Sequence, residues 1–209
     1  MSTFLQVGLV LTLFSLAPYI LVMTTSFVRV TVTLSFLRTA LGTQQVPPTQ
    51  VLMALSLFLT MYIMAPVGIR MNDEAIQPYY RQEIKQKEAF KKLIAPLREF
   101  MLMQTRDKDL GLFLGLGNIK VDKRENVPFY VLLPAYILSE IKTSFEIGFL
   151  LYIPFLVIDM IVASVLMSMG MFMLSPMTIS LPFKLLMFVS IDGWHIIIQG
   201  LVQSFNRMG

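Results

Sequence analysis

Three long stretches of this chain carry no charged side chain: residues 1–28, 39–69 and 160–183. Of its thirty Asp, Glu, Lys and Arg residues, twenty-one fall between Arg70 and Glu125. The charged share of 14% is roughly half that of an ordinary soluble domain. This is the pattern of a membrane-class sequence interrupted by one polar insertion. It predicts an all-α fold of apolar helices with a small helical insertion. Three parts are expected along the chain: apolar helices over 1–69 with an intervening helix at 24–45, a polar, mainly helical insertion over 70–126, and apolar helices with a methionine-rich turn over 127–209.

A helix needs about 20 residues to cross the hydrocarbon of a bilayer. Four stretches qualify by length: 4–23, 50–69, 147–174 and 183–205. None is clean. Pro18 and Pro66 sit near span ends, Pro154 falls inside the third, and Asp159 and Asp192 occupy depths near a bilayer centre. Residues 127–143 are apolar too, but Pro134 interrupts them and they end in charge. A charge at membrane depth costs about 2.5 to 3.5 kcal/mol on insertion scales, and a proline inside a span needs neighbours to satisfy the freed carbonyl. Both features favour a multi-subunit assembly over a lone four-helix bundle. The N-terminal stretch has no Lys or Arg before its apolar core, which reads as a retained helix rather than a cleaved signal.

Between the first two spans, Gly42 marks a helix stop before Val46-Pro47-Pro48. In the insertion, Phe90, Leu93, Ile94, Leu97 and Met101 recur at spacings of three and four, which predicts one amphipathic helix that packs inside a small helical domain, with a bend at Pro96. Twelve Lys and Arg in the insertion would place it in the cytoplasm by the positive-inside rule.

No catalytic constellation emerges, and an enzyme is not expected. His195 is the only histidine; a lone histidine in an apolar helix reads as a hydrogen-bonded packing residue. No metal site or bound cofactor is expected. Cysteine is absent, so there are no disulfides or thiolate ligands. The net charge of +4 forms no basic stripe interleaved with aromatics, so no nucleic-acid partner is expected. Glu140, Lys142 and Glu146 crowd one helical segment, while Asp159, Lys184 and Asp192 stand alone in apolar runs. Such charges form either an ion or proton relay or pairs between helices or subunits. Pairing is the reading preferred here, because a relay needs more protonatable groups facing one cavity.

Met167, Met169, Met171 and Met173 alternate just before a proline. Methionine is unbranched and polarizable and repacks against irregular surfaces. The run is either a gap-filling core segment or a compliant collar that closes an empty pore.

Three long blocks, TSFVRVTVTLSFLRTALGTQQVPPTQVLMALSLFLTMYIMAPV (25–67), REFMLMQTRDKDLGLF (98–113) and LLPAYILSEIKTSFEIGFLLYIPFLVIDMIVASVLMSMGMFMLSPMTISLPFKLLMFVSIDGWHIIIQGLVQSF (132–205), resemble the FliP family, the P subunits of the export gate in bacterial type III secretion. The resemblance implies a pore-forming subunit that passes unfolded flagellar substrates across the inner membrane. It implies a pentamer-like homo-oligomeric ring with the gate's Q and R subunits, seated against the export platform proteins and the lipid membrane in the flagellar basal body. It also implies paired helical hairpins and a periplasmic insertion, against the charge rule. The family's methionine collar maps onto Met171, Phe172 and Met173, with Phe172 standing where the family usually has methionine. Met167 and Met169 are then helix packing ahead of a bend at Gly170. Glu140 and Lys142 match a charged motif assigned to contacts between subunits, and Asp159, Lys184 and Asp192 match positions with assembly roles. The alternatives are the equivalent subunit of a virulence injectisome, an ion-coupled transporter using Asp159 and Asp192, and a purely structural membrane anchor.

Overall fold

The computed structural model describes residues 3–43 and 45–206; the outermost ends of the expected first and third parts lie outside the described residues. Every regular element among them is helical, with no strand. In chain order these are α1 (Thr3–Thr24), α2 (Phe27–Ala40), α3 (Thr49–Met71), α4 (Gln77–Tyr80), α5 (Gln86–Gln104), α6 (Asp107–Leu116), α7 (Phe129–Ser168), α8 (Pro176–Ser190) and α9 (Gly193–Asn206). A π-helical turn, Asn72–Ile76, carries α3 into α4 without a break.

The boundaries follow local chemistry. At the end of α1 the hydroxyls of Thr24 and Thr25 donate back to the carbonyls of Ile20 and Leu21, the side-chain competition that ends helices. After α2, Gly42 takes φ +77° and its N–H donates to Thr39 O at 3.0 Å, the left-handed stop expected there.

Two expected boundaries are corrected. The apolar stretch 127–143 and the span 147–174 form one 40-residue helix, α7, ending at Ser168. Pro134 and Pro154 lie inside it, because each removes a single donor from a ladder that continues on both sides. The span 183–205 is two helices, α8 and α9, bent by 66°. Asp192 sits at the corner with φ +52°. Its N–H donates to Val189 O, and its carbonyl accepts from Ile196 N–H. A Cβ on Gly193 would lie 2.2 Å from the Phe188 ring, so any larger residue would force that ring to move. Among the described residues two helices, Thr49–Tyr80 and α7, are long and apolar enough to cross a membrane, or up to four spans if each of two broken helix pairs counts as one.

Contacts group the chain otherwise than composition does. One compact unit joins the stretch ending at Val28 to Thr60–Glu140; the other joins Arg29–Leu59 to the stretch from Ile141 onward. The core of the first unit is Met101, Leu102, Leu110, Val127, Val131, Leu132, Ala135 and Tyr136. Arg124 fastens the loop before α7 to the α5–α6 corner, donating to the carbonyls of Leu102 and Thr105 and pairing with Asp107. Arg98 donates to the carbonyls of Glu125 and Val127. Of the predicted α5 stripe, Met101 and Leu97 join this core, with Pro96 buried inside an uninterrupted helix. Phe90 and Leu93 instead line a separate hollow with Ala75, Ile76 and Tyr79.

In the second unit α2 buries Val30, Leu34, Leu37 and Ala40. Phe36 meets Phe145 edge to face, with ring centroids 5.0 Å apart, and crowds the space a Cβ on Gly148 would need. Phe188 and Trp194 pack edge to face at 5.4 Å across the α8–α9 corner.

Candidate functional site at the turn between α7 and α8

α7 ends on a glycine. Gly170 has φ +73°, its N–H donates to Met167 O at 3.1 Å, and the N–H of Met171 donates to Leu166 O at 2.9 Å. Those two bonds form a Schellman cap, so the expected bend at Gly170 is a helix terminus. α8 starts on an extended Ser175 with Pro176 in its first turn, where a missing N–H costs no hydrogen bond. The backbone is therefore pinned at Met171 on one side and Ser175 on the other. Between them Leu174 N–H donates to Met171 O at 3.4 Å.

The side chains in this turn point away from the chain. Phe172 is 79% exposed and Met173 is 98% exposed, with Met171 also open. Met167 and Met169, expected as helix packing, are exposed within the chain itself, whereas Leu166 in the same turn is buried. Below the turn, Ile158, Val162, Val165, Leu166, Ile179 and Phe183 line an apolar hollow of about 430 Å³ between α7 and α8.

The hairpin bearing this turn is fastened by charge. Lys184 Nζ lies 2.6 Å from Asp159 Oδ2 and donates to Ala40 O at 3.4 Å, the carbonyl ending α2. The Ser180 hydroxyl donates to the other oxygen of Asp159. Ser180 and Lys184 are four residues apart and share one face of α8. The lysine side chain is 2% exposed and the aspartate 26%, so α2, α7 and α8 meet at a nearly dry ion pair within one chain.

The other expected charges are dispersed. Glu140 is fully buried, beside Ser139, whose hydroxyl donates to the buried Asp109 at 2.8 Å and accepts from Arg106 N–H. Lys142 is exposed on α7, and Asp192 is exposed at the α8–α9 corner, where its backbone makes the turn. His195 is exposed on α9, which corrects its expected packing role: it lies on the face away from Ile197, Leu201 and Phe205, which are buried. Among the described residues no His, Cys, Asp and Glu cluster could hold a metal ion.

Arg29 escaped sequence reasoning. It is fully buried, donates to the carbonyl and hydroxyl of Ser204 at 3.3 and 3.2 Å, and stacks 3.9 Å above the Phe205 ring. The available signal was a lone cation at the start of an apolar helix, with no spacing to name its partner.

Fold and turn together define a class: an all-α, membrane-class protein presenting an exposed methionine-rich turn at the end of its longest helix. The family model described as FliP family matches residues 10–201. The chain belongs to the FliP family. It is 51% identical to the flagellar biosynthetic protein FliP of Bacillus subtilis over 98% of this chain and 93% of that protein. It is 50% identical to that of Aquifex aeolicus over 94% of this chain and 83% of the relative, and 53% identical to that of Caulobacter vibrioides over 96% and 76%.

Proposed function

We propose that this chain is a pore-forming subunit of the flagellar type III protein export gate, in the inner membrane at the flagellar basal body. Several copies form a pentamer-like ring with the gate's Q and R subunits against the export platform, and unfolded flagellar proteins pass through its centre. Residues 70–126 form the periplasmic part. Met171, Phe172 and Met173 surround the passage and close it when it is empty. Glu140, Lys142, Asp159, Lys184 and Asp192 serve assembly, Asp159 and Lys184 by fixing the hairpin within each subunit.

One observation carries the reading. In a chain of the FliP family, three large apolar side chains project from a turn whose backbone is held at both ends. Such side chains yield by changing rotamer while the main chain stays put, as a seal around an irregular polypeptide must. The resting barrier is an apolar constriction that excludes water and with it ions. Nothing favours an ion-coupled transporter, since Asp159 is tied to Lys184 and Ser180.

The test is ion leakage across membranes of cells producing Met171→Ala/Phe172→Ala/Met173→Ala protein at matched assembly levels. A leak above wild type is the expected result. An unchanged leak with normal assembly removes these residues from the seal.

A further inference from the structure

Met173 is 98% exposed, and it sits in a turn that no helix covers. The chain's other well-exposed thioethers include Met61 and Met160, inside the two long apolar helices where a bilayer or neighbouring helices would shield them, and Met169, just past the end of α7 and 62% exposed against the 98% of Met173. Met101 is completely buried. Phe172, between the two methionines of the turn, carries no sulfur and keeps its bulk under mild oxidation.

We propose that Met173 is a modification site for peroxide-class oxidants, and that its oxidation opens the seal. This rests on the reading of residues 171–173 as the closure. In the reaction a sulfur lone pair attacks one peroxide oxygen; the S–O bond forms, the O–O bond breaks, and water leaves after proton transfer. Sulfur is oxidised by two electrons to the sulfoxide and the peroxide is reduced. The product replaces a flexible apolar tip with a polar group bearing a strong hydrogen-bond acceptor. A constriction that seals by excluding water is then hydrated from its own lining, and ions follow. Because each copy in a ring contributes one such sulfur, the effect grows with every subunit oxidised. The lesion belongs to the class that enzymatic sulfoxide reduction reverses.

The experiment exposes membranes holding the assembled full-length protein to hydrogen peroxide. Sulfoxide at each methionine is followed by peptide mass spectrometry, and ion leakage is followed in parallel. Met173 is expected to oxidise at least about tenfold faster than Met101, whose sulfur reacts only after local opening. Leakage should rise in step in wild type, return to baseline after treatment with a methionine sulfoxide reductase, and stay flat in Met173→Leu, which keeps the apolar bulk. Oxidation of Met173 no faster than Met101 overturns the proposal. So does full Met173 sulfoxide with no added leak when the triple alanine variant does leak, an outcome that leaves the seal intact as a reading. If the triple alanine variant also fails to leak, the seal itself and its oxidation switch both fall.

Discussion

Replacing Asp159 with asparagine should cost this protein more than replacing Lys184 with methionine, although each removes half of the same ion pair. The difference follows from who is left behind. In Asp159→Asn the ammonium of Lys184 stays in place at 2% side-chain exposure, with an amide oxygen and the 3.4 Å contact to Ala40 O as its remaining acceptors. Removing one partner of a buried pair typically costs about 3 to 5 kcal/mol, mostly the penalty of the stranded charge. In Lys184→Met the stranded group is a carboxylate that is 26% exposed and keeps the Ser180 hydroxyl. Water reaches it, and methionine fills the space of the lysine stem, so the loss should be about 1 to 2 kcal/mol. The double variant leaves no charge and should recover part of the Asp159→Asn loss, with a coupling of about 1 to 3 kcal/mol. Denaturant unfolding of the purified protein in detergent, run on all four members of the cycle, measures each value. Equal losses in the two single variants, or a double variant that is simply additive, would refute the argument from unequal burial.

Three more perturbations test the local geometry. Arg124→Leu takes a charged donor from the carbonyls of Leu102 and Thr105; a loss of about 1.5 to 3 kcal/mol is expected, with protease nicking between residues 117 and 126 rising well before global unfolding. Gly193→Ala drives a methyl group into the Phe188 ring and should cost about 1 to 3 kcal/mol, most of it returned by adding Phe188→Leu; a failure of that rescue in unfolding measurements would remove the steric explanation. Gly170→Ala meets no neighbouring atom but must hold φ +73°, a strain of about 1 to 2 kcal/mol. Gly170→Asn should be the better tolerated of the two in the same assay, since asparagine enters the left-handed region more readily.

Charge segregation announced the helical class because apolar stretches of that length have few other solutions. The Gly42 stop was legible from glycine position, and the Gly170 bend came only with the family resemblance. The corner at residues 191–193 was not, although an Asp-Gly pair is a turn signal; it lay in an apolar run that periodicity could not divide. The unity of α7 was hidden by two prolines and by Glu140, Lys142 and Glu146, each a local argument for a break that the rest of the ladder outweighs. The pairing of Asp159 with Lys184 joins residues 25 positions apart on two different helices, and no spacing rule reaches that far. Arg29 illustrates the same limit, since Ser204 and Phe205 lie at the other end of the chain.

The 40 residues of α7 correspond to about 60 Å of helix at 1.5 Å per residue, twice the thickness of a bilayer's hydrocarbon. Fitting it within that layer would require a tilt of about 60°, beyond the 0 to 40° found for membrane helices. In a membrane some of α7 would therefore stand outside the lipid. Its first part is covered by the chain, with Val131, Leu132, Ala135 and Tyr136 buried, but its most apolar 18 residues are only 11% buried. In the proposed ring that apolar stretch is left for lipid or neighbouring copies to cover. If the ring forms as proposed, a subunit made without its partners leaves that stretch uncovered. Its abundance should follow the supply of its assembly partners, with any excess removed by membrane proteases.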